Sequence, residues 1–328
     1  MKNILIIGGA GYIGRQIIHL LNKRRYKIYV IDDLSTTKKN YLNKNIVFFK
    51  ANILNKKKIQ KIFRYKKFDT VIHLAAKCVV SESEEFPKKY YNTNVTGTKN
   101  IVQFCKKFKV KNFIFSSSCS VFSNKTKIVN ENSLKEPIST YGKTKLLAEK
   151  LIKKNFHNSN IKYIILRYFN VVGADKVNKI GEIGNKDRLF NNISKRILNN
   201  QNTINVYGND YKTKDGTCIR DYIHVYDLAN IHIKCLEKIN IIKKSIYLNC
   251  SYGKGYSVLE VAKSFQKIFN KKIKIRFKKK RTGDMKEIVA SNHKLNNFIK
   301  WKPKFNNLNK MAISTFVWNK YLRKFYKI

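Results

Sequence analysis

The sequence is poor in acids: 20 Asp and Glu stand against 69 Lys and Arg, for a formal charge of +49. Proline is nearly missing, at 3 residues in 328, and no flexible linker or internal repeat interrupts the chain. No apolar run approaches the ~20 residues a membrane-crossing helix needs. The 6 cysteines, Cys78, Cys105, Cys119, Cys218, Cys235 and Cys250, are scattered without a Cys-x-x-Cys pair. That spacing excludes structural zinc and predicts reduced thiols in a cytoplasmic protein with no metal site. The start, Met1 to Gly14, is apolar but glycine-rich and lacks the cleavage site of a signal peptide. It reads as a buried strand and turn.

The charge, taken alone, points to nucleic acid or an acidic surface. The lysines, however, spread along the whole length instead of forming an arm or stripe. Lys outnumbers Arg, and Asn and Ile are abundant, as compositional bias produces. The expectation is no membrane and no specific nucleic-acid partner, with salt-sensitive polyanion binding in vitro. The same field favours a diphosphate-bearing substrate.

What is present is a globular composition, 43% hydrophobic, with a regular rhythm. Asn3–Ile7, Lys27–Ile31, Ile46–Lys50, Thr70–Leu74, Asn112–Ser116 and Tyr163–Leu166 read as strands. Gly11–Lys23, Lys56–Phe63, Tyr91–Phe108 and Thr140–Lys154 carry helical periodicity between them. Alternating strands and helices predict an α/β fold, a doubly wound parallel sheet of Rossmann type. After Asn170 the rhythm weakens. Gly173–Arg188 is loop-like, Leu189–Asn199 helical and Gly208–Thr217 turn-rich, followed by a helix at Ser257–Phe269 and a strand at Lys271–Phe277. The expected division is a nucleotide domain, 1–170, with a return segment near 218–238, and a smaller C-terminal α/β domain, 171–328, across a cleft.

Gly8-Gly9-Ala10-Gly11-Tyr12-Ile13-Gly14 follows the first strand and opens the first helix. It satisfies Gly-x-Gly-x-x-Gly through Gly9, Gly11 and Gly14, giving a tight turn, backbone approach to a pyrophosphate and close helix–strand contact. The helix N-terminus adds free N–H groups for phosphate. Asp32 and Asp33 end the second strand, where an acid accepts from the adenosine ribose and repels a 2′-phosphate. NAD is therefore favoured over NADP.

Tyr141 and Lys145 lie four residues apart at the start of a helix, on one face. A tyrosine with a pKa of ~10 is a poor base at neutral pH, and an ammonium together with a nicotinamide cation favours its phenolate. Upstream, Phe115-Ser116-Ser117-Ser118 ends a strand, where open parallel sheets bind ligands. Ser118 is placed to hydrogen-bond a reacting oxygen.

With His73-Leu74-Ala75-Ala76 and Asn94-Val95-x-Gly97-Thr98, these motifs resemble the extended short-chain dehydrogenase/reductase family. Within it, Arg167-Tyr168-Phe169-Asn170-Val171-Val172-Gly173-Ala174, the stretch Gly208–Thr217 and Arg220-Asp221-Tyr222-Ile223-His224-Val225 are similar to the UDP-glucose 4-epimerase branch. The resemblance implies NAD-dependent inversion of C4 of a UDP-hexose through a 4-keto intermediate, in a homodimer. It implies catalytic roles for Ser118, Tyr141 and Lys145. Cofactor contacts are implied at Gly8, Gly11, Tyr12, Ile13, Gly14, Asp32 and Asp33, then at Asn52, Ile53, Leu74, Ala75 and Ala76. Asn94, Ser116, Tyr141, Lys145 and Tyr168 complete that set. The UDP-sugar contacts implied are Ser118, Tyr141, Asn170, Arg188, Leu189, Arg220, Arg281 and Asp284; arginine suits a diphosphate because its planar fork pairs with two oxygens.

The sequence departs from the family pattern at four places. Asn52 stands where an acid contacts the adenine amino group. A cofactor-contacting lysine is replaced by Cys78 or shifted to Lys77. Val121-Phe122-Ser123 replaces Val-Tyr-Gly, and Arg188 stands at a position of Asn or His. A 4,6-dehydratase is disfavoured because its Asp-Glu pair reads Ser118-Cys119-Ser120 here. A UDP-uronic acid and a UDP-N-acetylhexosamine remain open as substrates, the latter because Ile288 occupies the position of a restricting tyrosine. A non-catalytic RNA-binding member of the fold is the rival of another class.

Overall fold

In the computed structural model, residues 2–326 are described apart from positions 23, 25, 38–41, 44, 176, 178, 179, 185–187 and 202. Lys23, the end expected for the first helix, and six positions of the loop-like 173–188 stretch thus lie outside the described residues. The apolar runs of the first half form strands, all but the edge strand β3 buried on both faces: β1 (Lys2–Ile7), β2 (Tyr26–Asp32), β3 (Val47–Lys50), β4 (Thr70–His73), β5 (Asn112–Ser118) and β6 (Lys162–Tyr168). β7 (Ile246–Cys250), a strand not expected from the sequence, pairs with β6. The order is 3-2-1-4-5-6-7, every pair parallel. This is the doubly wound arrangement, and its reversal between β1 and β4 opens a crevice at the carboxyl ends.

Helices cover both faces, which is why the strands are continuously apolar rather than alternating. On one face, α1 (Tyr12–Leu21) packs with a late helix, Val225–Lys238, over Ile4, Ile6, Val30, Ile114 and Leu166. On the other, α2 (Lys56–Tyr65), α3 (Thr98–Lys107) and α4 (Thr140–Phe156) cover Leu5, Ile7, Val71, Phe113 and Ile165. The expected helix 91–108 is not uniform. Tyr91–Gly97 is a wider, π-helical turn that passes into α3 at Thr98, with Gly97 packed where an added Cβ would lie 2.4 Å from Ile53 Cδ1. Such turns often mark functional sites.

Beyond the sheet, the strand Ile219–His224 pairs in parallel with Asn170–Val172 and Glu287–Ala290, and antiparallel with Gly255–Ser257. A separate core of Phe190, Ile193, Val206, Tyr222, Phe265 and Met311 holds the helices Leu189–Leu198, Val258–Phe269 and Leu308–Tyr326 together. Ser257 and Glu260 form a reciprocal cap that starts the second of these. The strand expected at 271–277 runs Lys274–Lys278, parallel to Thr203–Tyr207. Among the described residues no helix is long and apolar enough to cross a membrane.

Candidate active site

The crevice begins at the glycine turn. Gly8 has φ +82°, and a Cβ there would lie 2.6 Å from Ala75 N, so both conformation and space demand glycine. At Gly14 a Cβ would meet Gly8 O and Gly9 Cα, each at 2.6 Å. Gly11 differs, because a Cβ would touch only Gly8 O, at 3.3 Å. The absent side chain leaves space that no protein atom fills. α1 starts at Gly11 without a side-chain cap, so its first-turn N–H groups and positive dipole end stay available to an anion.

Asp32 Oδ2 accepts from Ala10 N–H at 3.0 Å and Oδ1 from Leu34 N–H at 2.8 Å. Burial raises this carboxyl above its ordinary value, while the two N–H groups pull the other way. Asp33 Oδ2 accepts from the Asn52 amide at 2.8 Å, and the Asn52 oxygen accepts from Leu54 N–H at 2.9 Å. A cavity of about 330 Å³ runs from these acids along the turn. Gly8, Gly11, Tyr12, Ile13, Gly14, Asp32, Asp33, Asn52, Ile53, Leu74, Ala75 and Ala76 all line it.

The serine strand and α4 come close to this wall near Cys78 and Arg188, whose charges both act on Tyr141. Ser118 Oγ donates to Ser120 Oγ and accepts from Ser120 N–H, both at 3.2 Å. Tyr141 is half-buried and its own N–H donates to Ser83 Oγ at 3.0 Å. Burial raises the phenol above the usual tyrosine value, with Ser118 and the Arg188 charge opposing. Lys145, only 2% exposed, holds its Nζ 4.4 Å from the Phe115 ring centre. Burial brings its ammonium down to about 8, against the charges of Cys78 and Glu149.

Five of the expected cofactor residues lie off the cavity wall, Tyr141 and Lys145 among them. Asn94 is buried and spends its amide on Lys77 N–H and carbonyl, at 2.8 and 3.0 Å, and on Thr144 Oγ1 at 3.0 Å. It thereby ties the loop after β4 to α4. Tyr168 donates to His232 Nε2 at 2.6 Å, because His232 Nδ1 is occupied with the Leu228 carbonyl at 2.9 Å. Ser116 is buried near the same Tyr168 phenol and lowers it against the strong rise that burial causes.

The expected substrate residues fall into two groups. Arg220 lies with Nη2 3.7 Å from Asp284 Oδ1 and Nη1 donating to the Ile219 carbonyl at 3.0 Å. Arg281 stacks over Tyr207 at 3.8 Å. Asn170, exposed, begins a strand one register pair from this arm, opposite Tyr222. Arg188 and Leu189 stand elsewhere, at the N-terminus of the helix Leu189–Leu198. The Arg188 guanidinium pairs with Glu182 Oε1 at 2.6 Å and the Val171 carbonyl at 2.9 Å, and it lines the glycine cavity.

Residues 4–250 match the model of the NAD dependent epimerase/dehydratase family. The chain belongs to that family. It is 36% identical, over 328 residues and 96% of both chains, to the UDP-glucose 4-epimerase of Bacillus subtilis strain 168. Its fold matches that of UDP-glucose 4-epimerase from Bifidobacterium longum, solved in complex with NAD+ and UDP, at a TM-score of 0.89 and 29% identity over 98% of both chains. The UDP-Glc/GlcNAc 4-epimerase of Campylobacter jejuni matches at a TM-score of 0.83 and 33% identity, over 98% of this chain and 100% of the other.

Within this epimerase/dehydratase framework, sequence reasoning left out Ser35, Thr36, Thr37, Thr93 and Glu182, which also line the cavity. The Ser35-Thr36-Thr37 run, separated from Asp33 by Leu34 alone, was the available signal for three of them, since short hydroxyl side chains near an acid suit a ribose or phosphate. Lys77 and Cys78 both face the cavity. Among the described residues no cluster of His, Cys, Asp and Glu has the makings of a metal site.

Proposed function

We propose that this chain is an NAD-dependent epimerase that inverts C4 of a UDP-hexose, interconverting UDP-glucose and UDP-galactose. The carrying observation is that Ser118, ending β5, and Tyr141, opening α4, stand close to Cys78 and Arg188 of a cavity that starts at an uncapped glycine turn. The residues present fit a dinucleotide: Gly11 leaves room at the phosphates, and Asp32 and Asp33 suit an adenosine ribose without a 2′-phosphate. When bound, NAD supplies a hydride acceptor that becomes the donor for the return step.

Tyr141 takes the C4 hydroxyl proton as hydride leaves C4, and gives that proton back to the C4 oxygen as hydride returns to the opposite face of C4. Burial alone keeps the phenol protonated, so its base form requires added positive charge, from Lys145 and the oxidised cofactor. Ser118 orients the phenol and the sugar oxygen. Arg220, Arg281 and Asp284 hold the UDP while the 4-keto sugar turns, so the reacting carbon stays in reach. In this reading residues 1–170 and the return segment near 218–238 hold NAD, with Ile246–Cys250 completing their sheet, and the rest of 171–328 holds the UDP-sugar. The protein acts in the cytoplasm, where its free cysteines suit a reducing compartment. It acts as a homodimer, for which exposed Phe86, Tyr91 and Leu147 offer apolar surface.

A second substrate class is favoured by one observation. Ile288 is 1% exposed among Cys119, Phe169 and Met285, and the Campylobacter relative is named for acetylated as well as plain hexose. UDP-N-acetylhexosamine is therefore included among the substrates.

Denaturing the purified protein should release NAD, identified by mass and absorbance, and a coupled assay should convert UDP-galactose to UDP-glucose. Tyr141→Phe should lose activity by about 100-fold or more. A folded protein that takes up no dinucleotide even in excess would sink the proposal.

A further inference from the structure

One residue before Ser118, a row of buried polar side chains crosses three neighbouring strands. Ser117, Arg167 and Asn249 are register partners on β5, β6 and β7, each 1% exposed or less. Glu149, itself 2% exposed, comes down on them from α4. Arg167 donates to it twice, Nε to Oε1 at 3.0 Å and Nη2 to Oε2 at 2.8 Å. Ser117 Oγ donates to the same Oε1 at 2.5 Å. The remaining Arg167 Nη1 donates to the Glu131 carbonyl at 3.0 Å, and Phe122 and Tyr247 flank the guanidinium at 5.0 Å each.

Such a pair is costly to bury, and apolar residues of similar volume often stabilise a fold as well or better. Stability alone therefore gives a poor account of it. Its placement gives a better one. Glu149 is one helical turn beyond Lys145 and two beyond Tyr141, so all three project from one face of α4. Ser117 and Ser118 are adjacent on β5. We infer that Glu149 and Arg167 are positioning residues for the proton-transfer group: their paired hydrogen bonds fix α4 against the end of β5, and so fix Tyr141 and Lys145 relative to Ser118.

The inference deepens the proposed epimerase reading and rests on it for its kinetic test only. The groups facing Lys145 are Glu149 from its own helix, Cys78 from the loop after β4, and His73 at the end of β4. His73 is neutral, since burial and the Lys145 charge bring it down to about 3. Glu149 thus supplies an acidic charge that favours the Lys145 ammonium, and its removal should let that ammonium titrate lower still.

The test uses Glu149→Gln, which keeps the shape, and Arg167→Lys, which keeps the charge but loses the fork. In NAD-loaded protein, both should lower kcat for UDP-galactose, on the order of 100-fold for an ångström-scale misplacement, with KM and NAD content near wild type. In cofactor-free protein carrying 13C-labelled lysine, the Lys145 titration should move to lower pH in Glu149→Gln. A purely structural role would leave that titration in place and lower Tm alone. Wild-type kcat and an unmoved Lys145 in a folded Glu149→Gln would overturn the inference. If that variant fails to fold, wild-type kcat in Arg167→Lys overturns it instead. A wild type without epimerase activity, but with Lys145 responding to Glu149→Gln, sinks the functional reading and leaves the electrostatic half of this one standing.

Discussion

The Ala10 N–H donates to Asp32 Oδ2 at 3.0 Å, so the acid that ends β2 holds the turn that opens α1. That bond places the carboxylate beside the first-turn N–H groups, where a ribose and its phosphates would meet. Asp32→Asn keeps an acceptor oxygen but loses the charge that excludes a 2′-phosphate. NAD should bind about tenfold or more weakly, and the preference for NAD over NADP should narrow. Calorimetric titration of both dinucleotides into cofactor-stripped protein measures this; an unchanged preference would remove Asp32 from the ribose site.

Lys145 gives a pH dependence with a defined sign. Burial brings its ammonium from the ordinary lysine value down to about 8. Between that point and the unfolded lysine value the unfolded chain binds more protons, so this group adds stability as pH rises through the window. Activity runs the other way, because deprotonation removes the charge that favours the Tyr141 phenolate. Turnover in cofactor-loaded enzyme should therefore fall on the alkaline side while Tm does not fall with it. Lys145→Met should raise stability at pH 7, on the order of 1–3 kcal/mol, and abolish turnover. Calorimetry at pH 7 and a pH–rate profile test both halves.

Much of this was legible in the sequence, and the gaps have physical causes. The glycine turn and the strands β1 to β6 are local patterns, set by apolar runs between short breaks. β5 runs two residues past the expected Asn112–Ser116, because consecutive serines carry no apolar signal for a strand. In the fold their hydroxyls are satisfied by Glu149 and by Ser120, which offsets the cost of burying them. β7 escaped because its pairing with β6 joins segments 82 residues apart, as Tyr163 N–H and Ser245 Oγ also show. Asn52 was expected to turn its oxygen to adenine, and in the fold that oxygen caps Leu54 while the amide steadies Asp33. The Arg167–Glu149 pair spans 18 residues and joins α4 to β6, and no sequence spacing announces it.

The Arg281 guanidinium carbon lies over Tyr207, 3.8 Å from the ring centre, and this contact restricts the side chain before any ligand arrives. A stacked, pre-oriented fork loses less entropy on pairing with a diphosphate than a free lysine does. Arg281→Lys should therefore raise KM for UDP-galactose about tenfold or more with little change in kcat. Tyr207→Leu should give a smaller rise in the same direction. An effect confined to kcat would place Arg281 away from the diphosphate.

Ile288 sits opposite Arg220 in the parallel pair of Ile219–His224 with Glu287–Ala290, so it shares a strand end with the proposed diphosphate arm. Its side chain is buried with Cys119, immediately after Ser118. A larger residue here must take space from the ground between the UDP arm and the reacting carbon, since packed interiors hold few voids. Ile288→Tyr should therefore spare UDP-galactose conversion and lower kcat/KM for UDP-N-acetylgalactosamine at least tenfold, because only the acetamido group needs the added volume. Parallel rates on both substrates, with Tm as a control for overpacking, decide the matter. Equal losses on both would mean general damage to the core, and equal retention would mean that Ile288 does not border the sugar.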